Sequence, residues 1–223
     1  MDSSSSGVSY KKADASYFEK RGLSRYAGVW SLWALGVTAA TSQTAGIRDW
    51  AEALFDRALR CADGFSSPRA TAFAMLGSYA MLETNPDHHG ARLVLERGGS
   101  LLVQCLADAR GKYWPWFEPV LAYDNCRLPE ALLCAGLRLD RPDFVAAGLE
   151  TLEWVMAVQE SEGGFFRPVG SESFGNVYRS PIPFDQQPVE AWAAVDACAA
   201  AFQATGDRHW IARARMAYES FLG

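Results

Sequence analysis

Apolar residues follow two alternating patterns along this chain. In residues 24–40, 68–82, 127–139 and 188–205 they run almost without interruption, rich in Ala, Leu and Gly, and the runs recur at intervals of roughly 45 to 60 residues. Such continuity predicts helices buried on most sides. Between them, residues 47–62, 91–109, 143–159 and 208–222 carry charge on one face only. Trp50, Ala53, Leu54 and Ala58 return at helical spacing, for example, while Asp49, Glu52, Asp56 and Arg60 face elsewhere. These are outer, amphipathic helices. Turn signals separate the runs: Ser66-Ser67-Pro68 opens one helix, Asn85-Pro86-Asp87 closes it, and Thr205-Gly206-Asp207 joins the last pair. Strand-like alternation is scarce.

Buried helices alternating with amphipathic ones predict an all-α fold of the α/α toroid type, an inner ring wrapped by an outer one. The pattern supplies about four hairpins, whereas a closed ring of six needs about twelve helices. The expected shape is therefore a shortened toroid over residues 9–223, behind a flexible segment at 1–8 that is rich in Ser.

Composition narrows the partners. About half of the 223 residues are hydrophobic, enough for one sizeable core, and the net charge is -5 with scattered Lys and Arg. That leaves no basic field for nucleic acid. No apolar run reaches the roughly 18 to 20 residues that span a bilayer, and residues 1–7 lack the basic start and apolar centre of a leader. A cytoplasmic location is expected. The five cysteines are odd in number, widely spaced and free of metal-ligand patterns, so no metal or organic cofactor is implied. Cys105, Cys134 and Cys198 fall on apolar helical stretches, as small buried side chains do.

In a toroid the loops entering the inner helices converge at one end, beside the helix N-termini. The longest irregular stretches, 110–125 and 163–187, enter the third and fourth inner helices. They bring Trp114, Trp116 and Tyr123 as aromatic surfaces, Glu118, Asp124 and Asp185 as carboxyl groups, and Asn125, Gln186 and Gln187 as amides. Sugars present hydroxyls to amides and carboxylates, and weakly apolar ring faces to Trp and Tyr. Glycoside cleavage further needs one protonated and one ionised carboxyl group. Asp124 and Asp185 are the expected pair, with Glu118 as a further candidate. Each residue also has a plain structural role: Asp124 and Asp185 stand where helix caps stand, Trp114 and Trp116 flank Pro115 as loop-packing residues do, and Glu190 suits a first helical turn.

Several segments together resemble a domain of the six-hairpin glycosidase type, often associated with bacterial glycosyltransferases. They are Trp116-Phe117-Glu118, Tyr123-Asp124-Asn125-Cys126-Arg127-Leu128-Pro129, Phe184-Asp185-Gln186-Gln187-Pro188-Val189-Glu190-Ala191, Ser31-Leu32-Trp33-Ala34-Leu35-Gly36 and Ser67-Pro68-Arg69-Ala70. The resemblance implies a carbohydrate ligand, a glycosyltransferase partner or a homo-oligomer. It also implies an acidic segment ahead of the first inner helix, where this chain has Gly22-Leu23-Ser24-Arg25-Tyr26. A fragment, a shortened binding paralogue, one half of a split enzyme and a non-catalytic helical scaffold or partner module of a glycosyltransferase all fit. Gln159-Glu160-Ser161-Glu162-Gly163-Gly164-Phe165 is similar to turns of terpene cyclases, but the aspartate-rich motif of isoprenoid chemistry does not accompany it.

Overall fold

The computed structural model describes residues 25–59, 67–170 and 186–222. The segment 1–8, Cys61 and Asp185 lie outside the described residues. Eight helices are present among the described residues: α1 Arg25–Thr41, α2 Ala45–Leu59, α3 Pro68–Thr84, α4 His89–Ala109, α5 Arg127–Leu139, α6 Pro142–Val158, α7 Pro188–Thr205 and α8 His209–Glu219. Gly111 with Trp114 and Glu160 with Phe166 form isolated bridges, and no β-strand forms among the described residues.

The packing reproduces the two-layer expectation. Inner helices α1, α3, α5 and α7 pack in that order, and each is backed by the helix that follows it. Outer α4 also touches α2 and α6. In α3 and α5 nearly every residue of the first three turns is buried, whereas α2 buries only Ala51 and Phe55. The difference in extent follows the two patterns, but the buried face of α2 is corrected to Ala51 and Phe55: Trp50 and Ala53, expected on it, are exposed.

Close backbone approach fixes the α1–α3 crossing. A Cβ at Gly36 would lie 2.0 Å from the Gly77 carbonyl oxygen, and one at Gly77 would lie 2.4 Å from that of Leu32. Only glycine fits there. Pro68, Pro142 and Pro188 each open a helix, where a missing N–H costs nothing. Cys126, Cys134 and Cys198 are buried free thiols, as small apolar residues of a helical core, and Cys105 is partly buried.

Candidate functional site at the start of the inner helices

The N-terminal turns of α3, α5 and α7 meet at one end of the ring, and two buried arginines organise that end. Arg69, in the first turn of α3, donates from Nε to the Tyr123 carbonyl at 2.7 Å, from Nη2 to Asn125 Oδ1 at 2.9 Å, and from Nη1 to Glu118. All three of its nitrogens are thereby used. Asn125 is equally committed. Its Oδ1 also accepts from the Ala122 N–H at 3.1 Å, and its Nδ2 donates to the Ala122 carbonyl at 3.3 Å and to Glu190 Oε2 at 3.2 Å.

Glu190 reaches across from the first turn of α7. It accepts from the backbone N–H of Asp124 and, at 3.2 Å, from that of Asn125. It thus satisfies donors at the turn that begins α5, a task that side chains at a helix start usually perform for their own helix. Burial pushes its carboxyl up to about 7, opposed by these hydrogen bonds.

Held by that clamp, Asp124 adopts φ 54°, the left-handed region that aspartate tolerates better than most residues. Its side chain is 1% exposed, and neither carboxylate oxygen has a hydrogen-bond partner. The nearest cation is Arg127 Nε, 3.4 Å from Oδ1 and beyond good hydrogen-bond distance. Burial raises the Asp124 pKa to about 6, against the pull of Arg127 and Arg69. Asp124 therefore does not cap α5.

Arg127, fully buried in the first turn of α5, is the second organiser. Its Nη1 donates to Glu130 at 2.6 Å and to Asp196 of α7 at 2.8 Å, while Nε and Nη2 make no hydrogen bond. Its guanidinium lies over Trp192 at 4.3 Å and over Trp33 at 4.8 Å, and those two rings stack at 5.7 Å. The first and last inner helices are thus bridged by aromatic side chains around one cation. Burial lifts Glu130 to about 7, opposed by Arg127. Asp196, in contrast, is 38% exposed.

The residues expected from the sequence divide sharply. Asp124 stands at the centre of this end. Trp114 and Trp116 are core residues, 3% and 0% exposed, packed against Trp154, so the expectation of two stacking surfaces is corrected. The rings bury because their loop folds back over α6, and Trp114 Nε1 finds the Glu118 carbonyl at 2.8 Å. Glu118 holds Arg69 through Oε2, and the side-chain hydrogen-bonding positions of Asn125 are all filled within the protein. Tyr123 is exposed, its ring 5.4 Å from the Arg69 guanidinium. Gln186 and Gln187 are exposed on a groove of about 620 Å³ with Phe165, Phe166, Met216 and Phe221, and its described lining shares no residue with the Arg127 cluster. Glu190, weighed as a plain first-turn residue, proves to position the Asp124 turn.

Arg127, Glu130, Asp196, Trp33 and Trp192 were not among the expected site residues. A signal was available: isolated charges within almost continuously apolar helices must be paired when buried.

The fold is an α/α toroid of the six-hairpin glycosidase type, shortened to four hairpins among the described residues. A solved structure, an unsaturated glucuronyl hydrolase specific for heparin, matches it with a TM-score of 0.60 at 14% identity, over 89% of this chain and 55% of that one. This chain spans about half the length of the hydrolase, and at that identity the likeness shows the fold alone. It gives no support to association with a glycosyltransferase. No protein-family model and no curated protein matches the sequence. No described helix is long and apolar enough to cross a membrane.

Proposed function

We propose that this chain binds and processes carbohydrate at the end of the ring where the inner helices begin, with Asp124 as the acid in glycoside cleavage. The observation that carries the reading is the Asp124 carboxyl group: buried, clamped in place through its backbone, and without a hydrogen-bond partner on either oxygen. A buried carboxyl group held only by a loose 3.4 Å ion pair to Arg127 forgoes hydrogen bonds worth roughly 1–3 kcal/mol, which a substrate oxygen would restore. A pKa of about 6 keeps a proton available near neutrality for a leaving oxygen. Trp33 and Trp192, rather than Trp114 and Trp116, supply the aromatic surface. Asp185 remains the expected second carboxyl group, and among the described residues Asp196 is the more exposed carboxyl group on Arg127. The shared fold with a hydrolase of unsaturated glucuronyl groups supports carbohydrate as the ligand class.

The test is a thermal-shift and hydrolysis screen over neutral, amino and uronic oligosaccharides, unsaturated glucuronyl disaccharides included, with wild type and Asp124→Asn. A sugar that raises the melting temperature of the wild type, and whose cleavage the substitution abolishes, is the expected result. Cleavage that persists in Asp124→Asn removes that residue from the chemistry.

A further inference from the structure

The charge pattern around Arg127 bears on which sugar this end of the ring accepts. Three carboxyl groups, Asp124, Glu130 and Asp196, surround a single guanidinium, and its Nη1 already serves two of them. The other cation at this end, Arg69, has every nitrogen engaged by Glu118, Asn125 and the Tyr123 carbonyl. Glu190 adds a fourth acidic side chain behind the Asp124 turn. Arg127 Nη2 lacks a hydrogen-bond partner, but the side chain is 1% exposed, and an anion reaching it would crowd against the carboxyl groups of Asp124, Glu130 and Asp196.

The aromatic side of the site has the same preference. An indole face carries negative charge density and attracts cations, and Trp192 is 49% exposed beside Asp196 one helical turn further along α7. Asp196 gives its Oδ2 to Arg127, which lies over Trp192, and its carboxylate still reaches solvent beside that indole, a pairing that can receive an ammonium group.

We propose that the site takes an amino sugar, its ammonium group meeting Asp196 beside the exposed indole of Trp192, and turns away uronic and sulfated sugars. The proposal rests on the carbohydrate reading above and names the substrate class for the same site.

Three isosteric disaccharides test it by thermal shift at near-neutral pH: a glucosamine dimer, its neutral glucose counterpart and one bearing a glucuronic acid. Ethanolamine serves as a control for simple attraction of cations to an acidic protein. The glucosamine dimer is expected to give the largest shift, one that falls with added salt, while ethanolamine gives none. Asp196→Asn retains an acceptor for Arg127 at a partly exposed position, so it is expected to fold normally by circular dichroism yet bind the glucosamine dimer roughly tenfold more weakly, as loss of a charged hydrogen bond predicts. An equal or larger shift with the neutral or uronic sugar overturns the amino-sugar inference and leaves the carbohydrate reading standing. So does an ethanolamine shift of the same size, or unchanged affinity in the folded Asp196→Asn variant. Failure of all three sugars to shift the folded wild type overturns the carbohydrate reading itself, and the inference with it.

Discussion

Arg69 and Arg127 occupy equivalent places and have opposite fates. Each is buried in the first turn of an inner helix, and each faces carboxylates from other elements. Around Arg69 every nitrogen is engaged, and its neighbour Asn125 uses all four of its hydrogen-bonding positions. Around Arg127 two nitrogens and both Asp124 oxygens are left over. A saturated buried network fixes a structure, while an unsaturated one retains a cost that a bound water, an ion, a ligand or a reaction can offset. The two centres are coupled by the Asp124-Asn125 turn, which Glu190 grips through its backbone.

The largest expected effect breaks the saturated centre. Arg69→Met strands Glu118, Asn125 Oδ1 and the Tyr123 carbonyl together, and is expected to cost about 3–5 kcal/mol in urea unfolding, as removal of one partner from a buried pair does. Arg127→Met is expected to cost less, about 1–3 kcal/mol at pH 5, because Asp124 and Glu130 have raised pKa values and neutralise by taking up protons. Its cost grows toward pH 8, where they must ionise without their cation. Equal losses for the two variants at pH 5 would erase the distinction between the centres.

Stability of the wild type should itself follow the unsaturated centre. Asp124, Glu130 and Glu190 are raised to about 6, 7 and 7 in the folded protein, above their unfolded values near 4. Between those limits the folded state holds more protons than the unfolded chain, so stability is full below about pH 4 for these groups and is lost as pH rises through 6 to 7. The melting temperature is expected to be higher at pH 5 than at pH 8. Asp124→Asn combined with Glu130→Gln should flatten that slope, and an unaltered slope would assign it to other groups.

The same contrast explains what could be read from the sequence. The inner and outer helices were legible, with 127–139 and 188–205 expected and found to the residue, because continuous and one-faced apolarity place opposite demands on burial. Asp124 was legible as a polar residue at the mouth of an inner helix. The fate of Trp114 and Trp116 was not, since an indole serves a core or a ligand with the same chemistry and only the fold-back onto Trp154 decides. Arg127 was hidden for another reason. It begins an apolar run, and its partner Asp196 lies 69 positions away on α7, a distance that local pattern does not bridge.

Tyr123 sharpens the comparison with the smallest perturbation. Its backbone carbonyl, not its ring, accepts from Arg69, so Tyr123→Ala leaves the saturated network intact and forfeits only an exposed cation–π contact. A loss of about 0.5–1 kcal/mol in stability is expected. Of the three aromatic residues expected to stack on sugar, it is the exposed one, beside the turn that presents Asp124. If the ring is a subsite, the substitution should reduce the thermal shift produced by oligosaccharides longer than a disaccharide while sparing the disaccharide shift, because Trp33 and Trp192 would still hold the first units. A loss confined to stability, with both shifts unchanged, would place the whole ligand surface on the Arg127 side.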